Sequence, residues 1–256
     1  MPSSRAQLYE SAYLADYDFE SVMVRFRRKL LLERLNVIRP QVVVEIGCGC
    51  ELLCEAWYSA RRHAWKEDQW VIVESAEQFA EAARTCGVPG LSVVRDVFES
   101  AVESVRKLLR RAPDLVICSA LLHEVPSSSA LLTAVRQVMD DHTRLHVNVP
   151  NADSLHRRVA KAMGLIRDTH AMSARNRSLL QRRVYDMRSL KDDLTDASLR
   201  IVDQGGYFVK PFTHEQMARI VSILDESVMD GLFRLGREMP GAASEIFVEA
   251  VRGHGD

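Results

Sequence analysis

The chain has 256 residues, 47% of them hydrophobic and 27% charged, with a formal net charge of -1 at pH 7. That balance excludes a general affinity for nucleic acid or anionic membrane, and no stretch is long and apolar enough to span a bilayer. The length suits one α/β domain with an elaboration, and a polar, Tyr-rich start without an apolar leader leads to the expectation of a cytoplasmic protein.

Residues 6–20 carry Tyr9, Tyr13 and Tyr17 at steps of four, which puts the three rings on one face of a helix. Amphipathic rings in that place suit either a lid over a small-molecule site or the packing of a helical arm against the core. Residues 20–35 repeat the helical pattern, with Val22, Phe26, Leu30 and Leu31 inward and Arg25, Arg27, Arg28 and Lys29 as a solvated basic face; Pro40 ends it. Residues 1–38 are therefore expected to be an N-terminal helical cap or lid, and residues 39–256 the ligand-binding domain.

The stretch that follows organises the rest. Residues 42–46 are a β-branched run containing Glu45, then come Gly47, Cys48, Gly49, Cys50 and Glu51, and from Leu52 the apolar spacing becomes helical. This reads as a buried parallel strand, a tight turn and a helix start. Gly47 and Gly49 allow positive φ and close approach of a ligand. A dinucleotide fingerprint would need glycine at position 52, where Leu52 stands. Three of the five cysteines crowd this turn while Cys86 and Cys118 stand apart, so the spacing does not make a zinc site and no metal is expected.

Residues 70–74 form a second strand ending in Glu74, with Ser75 after it, and residues 91–96 a third ending in Asp96, with Val97 after it. An acid at the end of the second strand suits a pair of ribose hydroxyls. Residues 115–118 are a fourth strand, leaving through Ser119 toward His123, which reads either as a general base or as a histidine bonded to backbone. Residues 145–151 are a fifth, where Asn148 needs partners or a ligand for its amide. The alternation of strand and helix predicts a doubly wound parallel sheet, with Glu45, Glu74, Asp96, Ser119, His123 and Asn148 on its carboxyl edge. A polar insertion over residues 164–188 offers Asn176, Gln181, Arg182 and Tyr185 as pocket residues, its arginines being read as solvated. Residues 199–203 are expected as a strand, the Gly205-Gly206 segment as a close backbone approach, 214–235 as one long helix capped by Thr213, and 244–251 as the last strand.

Written as E-x-G-x-G, residues 45–49 resemble motif I of the class I S-adenosylmethionine (SAM) methyltransferases, with Glu51 where that family has a third glycine. Glu74 matches the family's ribose acid, Asp96 its adenine-edge acid, and residues 119–126 resemble its motif IV; N-P-P-Y is absent, which disfavours an amide or an adenine amine as acceptor. The resemblance covers roughly residues 41–251. It implies a Rossmann-like α/β fold of seven mostly parallel strands with helices on both faces and an antiparallel last strand. It implies SAM as cofactor, held by Glu45, Gly47, Cys48, Gly49, Glu74, Ser75, Asp96, Val97 and Ser119. Tyr9, Tyr13, Tyr17, Glu51 and Gln181 would line the acceptor side, Glu51 either pointing away or meeting the ligand's ammonium. The stretches N-V-P-N-A-D-S-L-H-R, R-V-Y-D and K-P-F-T-H-E-Q-M are similar to small-molecule enzymes of bacterial secondary metabolism, among them the azetidine-2-carboxylate synthases. The leading expectation is methyl transfer to a small polar acceptor by a monomer or homodimer. The alternative is cyclisation of SAM itself with release of methylthioadenosine, in which Asn148 and Tyr185 orient the amine and the sulfonium. A third reading is a catalytically silent SAM-binding protein.

Overall fold

All five residues of Val42–Ile46 (β1) are buried, the pattern of a strand covered on both faces. In the computed structural model, which describes residues 19–63 and 68–253, β1 is central to a seven-stranded sheet. The other strands are Gln69–Val73 (β2), Leu91–Val94 (β3), Leu115–Ser119 (β4), Arg144–Pro150 (β5), Leu199–Tyr207 (β6) and Glu245–Arg252 (β7). Their order is β3-β2-β1-β4-β5-β7-β6. The pairs among β1 to β5 are parallel, and β7 runs antiparallel between β5 and β6. The expected seven-stranded, mostly parallel α/β sheet with an antiparallel last strand is therefore present.

Strand alternation divides the core. Val44 and Ile46 pack with the helices Phe98–Leu108, Ser128–Val138 and Met187–Asp196 on one face. Val43 packs with Leu53–Arg61, Glu77–Thr85 and the inner side of Glu20–Ile38 on the other. A third cluster joins Phe19, Phe26 and Leu30 to Tyr207, Phe208, Phe233 and Phe247, so the N-terminal helix is bound to the far edge of the sheet. No described helix is long and apolar enough to cross a membrane.

Several expectations are revised. The N-terminal helix runs to Ile38 and stops because Arg39 turns left-handed, its N–H donating to the Leu35 carbonyl at 2.8 Å. The helix expected over 214–235 is two: His214–Ile220 tightens through a short 3-10 turn, Leu224 and Asp225 become extended, and a new helix, Glu226–Glu238, begins. No glycine or proline marks that break, so the apolar spacing runs through it unchanged. Residues 199–207 are a single strand, and both glycines are close approaches: a Cβ at Gly205 would stand 2.7 Å from the Phe247 ring and one at Gly206 2.6 Å from the Ala243 Cβ. Tyr9, Tyr13 and Tyr17 lie outside the described residues.

Candidate functional site

The strand order reverses at β1, with β2 on one side and β4 on the other, and in open α/β sheets ligands bind in the crevice such a reversal leaves at the carboxyl ends of the strands. A cavity of about 530 Å³ lies there, within the range of small-ligand pockets. Its floor is the β1 turn from Ile46 to Glu51, the ends of β2 and β4, Ser75, Asp96 and Val97. Its cover is the N-terminal helix, through Glu20, Met23, Val24, Arg27, Arg28 and Leu31, and the insertion, through Arg175, Asn176 and Gln181.

Gly47 and Gly49 have φ of 74° and 62°, values that strain residues carrying a Cβ. The turn they make lays its amides on Glu74. One Glu74 oxygen accepts from Cys48 N at 3.1 Å and Gly49 N at 3.4 Å, the other from Ala76 N at 2.8 Å. A carboxylate offers about four lone-pair sites. The Cys48 thiol also reaches the first oxygen, at 3.8 Å, so that oxygen is crowded by three donors and the one taking Ala76 N keeps a lone-pair site for a ligand hydroxyl. Burial pushes the Glu74 carboxyl up despite these four bonds.

Glu45 is buried beneath the turn, its carboxylate accepting from Trp70 Nε1 at 2.9 Å. Burial first, opposed by the Trp70 bond and reinforced by the charge of Glu74, raises its pKa to about 7. A carboxyl whose folded pKa is raised contributes stability that is full below its unfolded pKa and is lost as pH rises through the folded value. Glu45→Gln keeps an oxygen for Trp70 without the charge. It should therefore gain on the wild type by up to roughly 3 kcal/mol as pH rises from about 4.5 to 8, as read by urea denaturation across that range. Parallel pH profiles for the two proteins would contradict this.

Asp96 accepts from Val97 N at 2.8 Å and faces the same cavity. Ser119 Oγ and His123 Nδ1 are buried in the wall without hydrogen-bond partners among the described residues. The His123 carbonyl accepts from Arg182 N and Arg183 N, and burial, helped by the charge of Arg27, lowers the ring's pKa to about 3. Such a ring is neutral at neutral pH and faces the cavity as a hydrogen-bonding group.

The two other catalytic candidates are not in the wall. Asn148 is fully buried in β5, its amide donating to Tyr207 Oη at 3.1 Å and to Glu245 Oε2 at 3.0 Å, so it acts on the cavity only through Glu245. Tyr185 lies in the core, its hydroxyl donating to Asp193 at 2.7 Å and its ring covered by the Arg183 guanidinium at 4.6 Å, which leaves no face for a sulfonium. Gln181 does reach the cavity, where its carbonyl accepts from Asn176 Nδ2 at 2.6 Å in an insertion held by the reciprocal Ser173–Asn176 cap. Glu51 points inward but meets a cation of the protein, Arg28, at 3.2 Å.

The basic run of the N-terminal helix is a solvated face only in part: Arg25 is exposed, whereas Arg27 turns inward. Arg27 grips Glu245 with two nitrogens, Nε at 3.0 Å from Oε2 and Nη2 on Oε1, and reaches Glu20 at 3.2 Å. Glu20 then meets His214 Nε2 at 3.1 Å and Arg175 at 3.9 Å, and His214 Nδ1 lies 2.5 Å from Lys210 Nζ. Tyr207 closes the chain by donating to Glu245. This network was missed at the level of sequence, although Glu245 and Glu249 within an otherwise apolar last strand were a usable sign, since a buried acid needs a partner.

These features define the class I methyltransferase fold. A family profile described as a methyltransferase domain matches residues 19–204, and the chain belongs to that family, whose cofactor is SAM. No curated protein matches it significantly. Among solved structures it is similar to a possible histamine N-methyltransferase from Thermotoga maritima, with 15% identity, TM-score 0.59, and coverage of 97% of this chain and 99% of that one. It is similar to the plantazolicin methyltransferase BamL, with 12% identity, TM-score 0.55, and coverage of 99% and 100%. It is also similar to the Burkholderia thailandensis 1,6-didemethyltoxoflavin-N1-methyltransferase, with 15% identity, TM-score 0.56, and coverage of 99% and 91%. At such identities the likeness is one of fold.

Proposed function

We propose that the protein transfers the methyl group of SAM to a small polar acceptor bound in the cavity between the sheet edge and the insertion. The observation that carries this reading is the Glu74-bound glycine turn opening directly into a cavity whose opposite wall is the Arg27–Glu20–His214–Lys210 network. The Glu74 oxygen that takes Ala76 N has a lone-pair site for a ribose hydroxyl, Asp96 a carboxylate for an adenine amine, and Ser119 Oγ and His123 Nδ1 offer polar atoms unpaired among the described residues. SAM supplies a methyl carbon made electrophilic by the attached sulfonium. The chain orients the partners and excludes water, which the cover formed by the N-terminal helix and the insertion suits. The plantazolicin and toxoflavin enzymes, both named for small-molecule substrates, support an acceptor of that kind and a place in secondary metabolism.

Cyclisation of SAM relied on Asn148 and Tyr185, and neither side chain reaches the cavity. Incubation with SAM, with and without a pool of candidate acceptors, followed by mass spectrometry, distinguishes the readings. S-adenosylhomocysteine appearing only with an acceptor supports methyl transfer; methylthioadenosine from SAM alone overturns it in favour of cyclisation. Saturable SAM binding with neither product would leave the silent binding protein.

A further inference from the structure

Lys210 lies between β6 and the helix His214–Ile220 and lines the cavity, yet its side chain is almost wholly buried, at 1% exposure. An ammonium has three N–H groups to donate. The hydrogen bond found for Lys210 among the described residues goes to His214 Nδ1 at 2.5 Å. His214 presents its other nitrogen to Glu20 at 3.1 Å. The ring therefore accepts at Nδ1, donates at Nε2 and is neutral, consistent with burial lowering its pKa to about 4. Lys210 thus rests on a dipole and not on a counter-charge.

The nearby carboxylates are committed elsewhere. Glu245 takes Arg27, Tyr207 and Asn148, while Glu20 takes Arg27 and His214 with Arg175 close by. Arg157 donates to the carbonyl oxygens of Thr169 and Ala171 and not to an acid. Among the described residues, this end of the cavity therefore sets Arg27, Arg157 and Lys210 against Glu20 and Glu245. A buried charge without a partner is costly, and burial accordingly lowers the Lys210 pKa to about 7. Beside it, His156 Nδ1 and Ser244 Oγ are buried in the wall without hydrogen-bond partners among the described residues.

We propose that this end of the cavity is an oxyanion subsite: the acceptor carries a carboxylate or a phosphate monoester that seats on Lys210 Nζ, with the unpaired His156 and Ser244 completing its hydrogen bonds. The inference rests on the methyl-transfer reading, since it specifies the acceptor of that reaction. The charges that face Lys210 are Glu20 and Arg27 of the N-terminal helix, Arg157 of Leu155–Ala162, Arg175 of Ala174–Ser178 and Glu245 of β7, with His156 and His214 as neutral neighbours. An arriving oxyanion supplies the missing counter-charge and holds Lys210 protonated.

The test uses the whole protein saturated with S-adenosylhomocysteine and a panel of aromatic and aliphatic carboxylates, each paired with its neutral amide, together with phenyl phosphate. Thermal shift selects the binders and calorimetry measures them. Acids should bind roughly tenfold or more tightly than their amides, the effect of one charged hydrogen bond, and Lys210→Met should abolish that preference while binding S-adenosylhomocysteine as the wild type does. The comparison of benzoate with phenyl phosphate shows which oxyanion fits. Should the variant fold poorly, the wild type alone decides: its affinity for acids, and not for amides, should fall as pH rises above about 7. Acids and amides binding alike, or neither binding, overturns the proposal, as does an acid preference that survives in the variant or does not change with pH. Failure of S-adenosylhomocysteine itself to bind would instead sink the methyl-transfer reading, and this one with it.

Discussion

Replacing Glu74 by Ala is expected to weaken SAM binding by about 10- to 100-fold, or ~1.5–3 kcal/mol, the range for hydrogen bonds to a charged group. The residue has two effects on the cofactor. Its carboxylate keeps a lone-pair site for a ligand hydroxyl, and it gathers the amides of Cys48, Gly49 and Ala76 that give the glycine turn its shape. Without it, the turn loses the acceptor for three N–H groups, so the thermal transition of the apo protein should also fall. Glu74→Gln separates the effects, because the amide retains one acceptor but sets its NH2 group against a backbone donor. Calorimetry with S-adenosylhomocysteine reads the affinity and circular dichroism the stability; an affinity unchanged in Glu74→Ala would contradict the assignment.

The second large effect is expected at the Arg27–Glu245 pair. Both side chains are nearly excluded from solvent, at 12% and 4% exposure. A buried pair broken on one side leaves an uncompensated charge, at a cost of about 3–5 kcal/mol. Glu245→Ala should therefore destabilise the protein by that amount in urea denaturation, since Arg27, Tyr207 and Asn148 all lose an acceptor at once. Burial and the facing Glu245 charge keep the Tyr207 phenol neutral, while the charges of Glu245 and Glu20 outweigh burial to keep the Arg27 guanidinium charged at any physiological pH. The double replacement Arg27→Met with Glu245→Leu removes both charges and should recover much of the loss. A cost below about 1 kcal/mol for Glu245→Ala would mean the pair behaves as a solvated surface bridge.

What was legible in the sequence was the part set by local pattern. The run Val42–Ile46 reads as a doubly covered strand because all five side chains are buried, and the acids ending the strands fall on one edge because parallel strands share a direction. Glu74 and Asp96 were found that way. What was not legible was long-range pairing: Arg27 meets Glu245 across 218 positions of sequence, and a basic helical run looks the same whether its partners are water or a distant strand. Asn148 was rightly singled out as an amide needing partners, but the strand alternation that buries it turns it toward Tyr207 and Glu245 instead of a ligand. Tyr185 lies within an insertion whose polar composition hid one buried aromatic anchor, fixed in the core by Asp193. Lys210 and His214 are joined across a helix cap at Thr213, and their meeting depends on Glu20, nearly two hundred residues earlier.

Methyl transfer as proposed requires the crevice at β1 to hold SAM with its reactive end toward the charged network. A crystal structure of the protein with S-adenosylhomocysteine tests it most directly. A ribose hydroxyl is expected on Glu74, the adenine beside Asp96 and Val97, and the sulfur between the glycine turn and the Ser119–His123 segment, facing the side of the cavity that carries Lys210. Ligand density outside this crevice, or a ribose with no contact to Glu74, would contradict it.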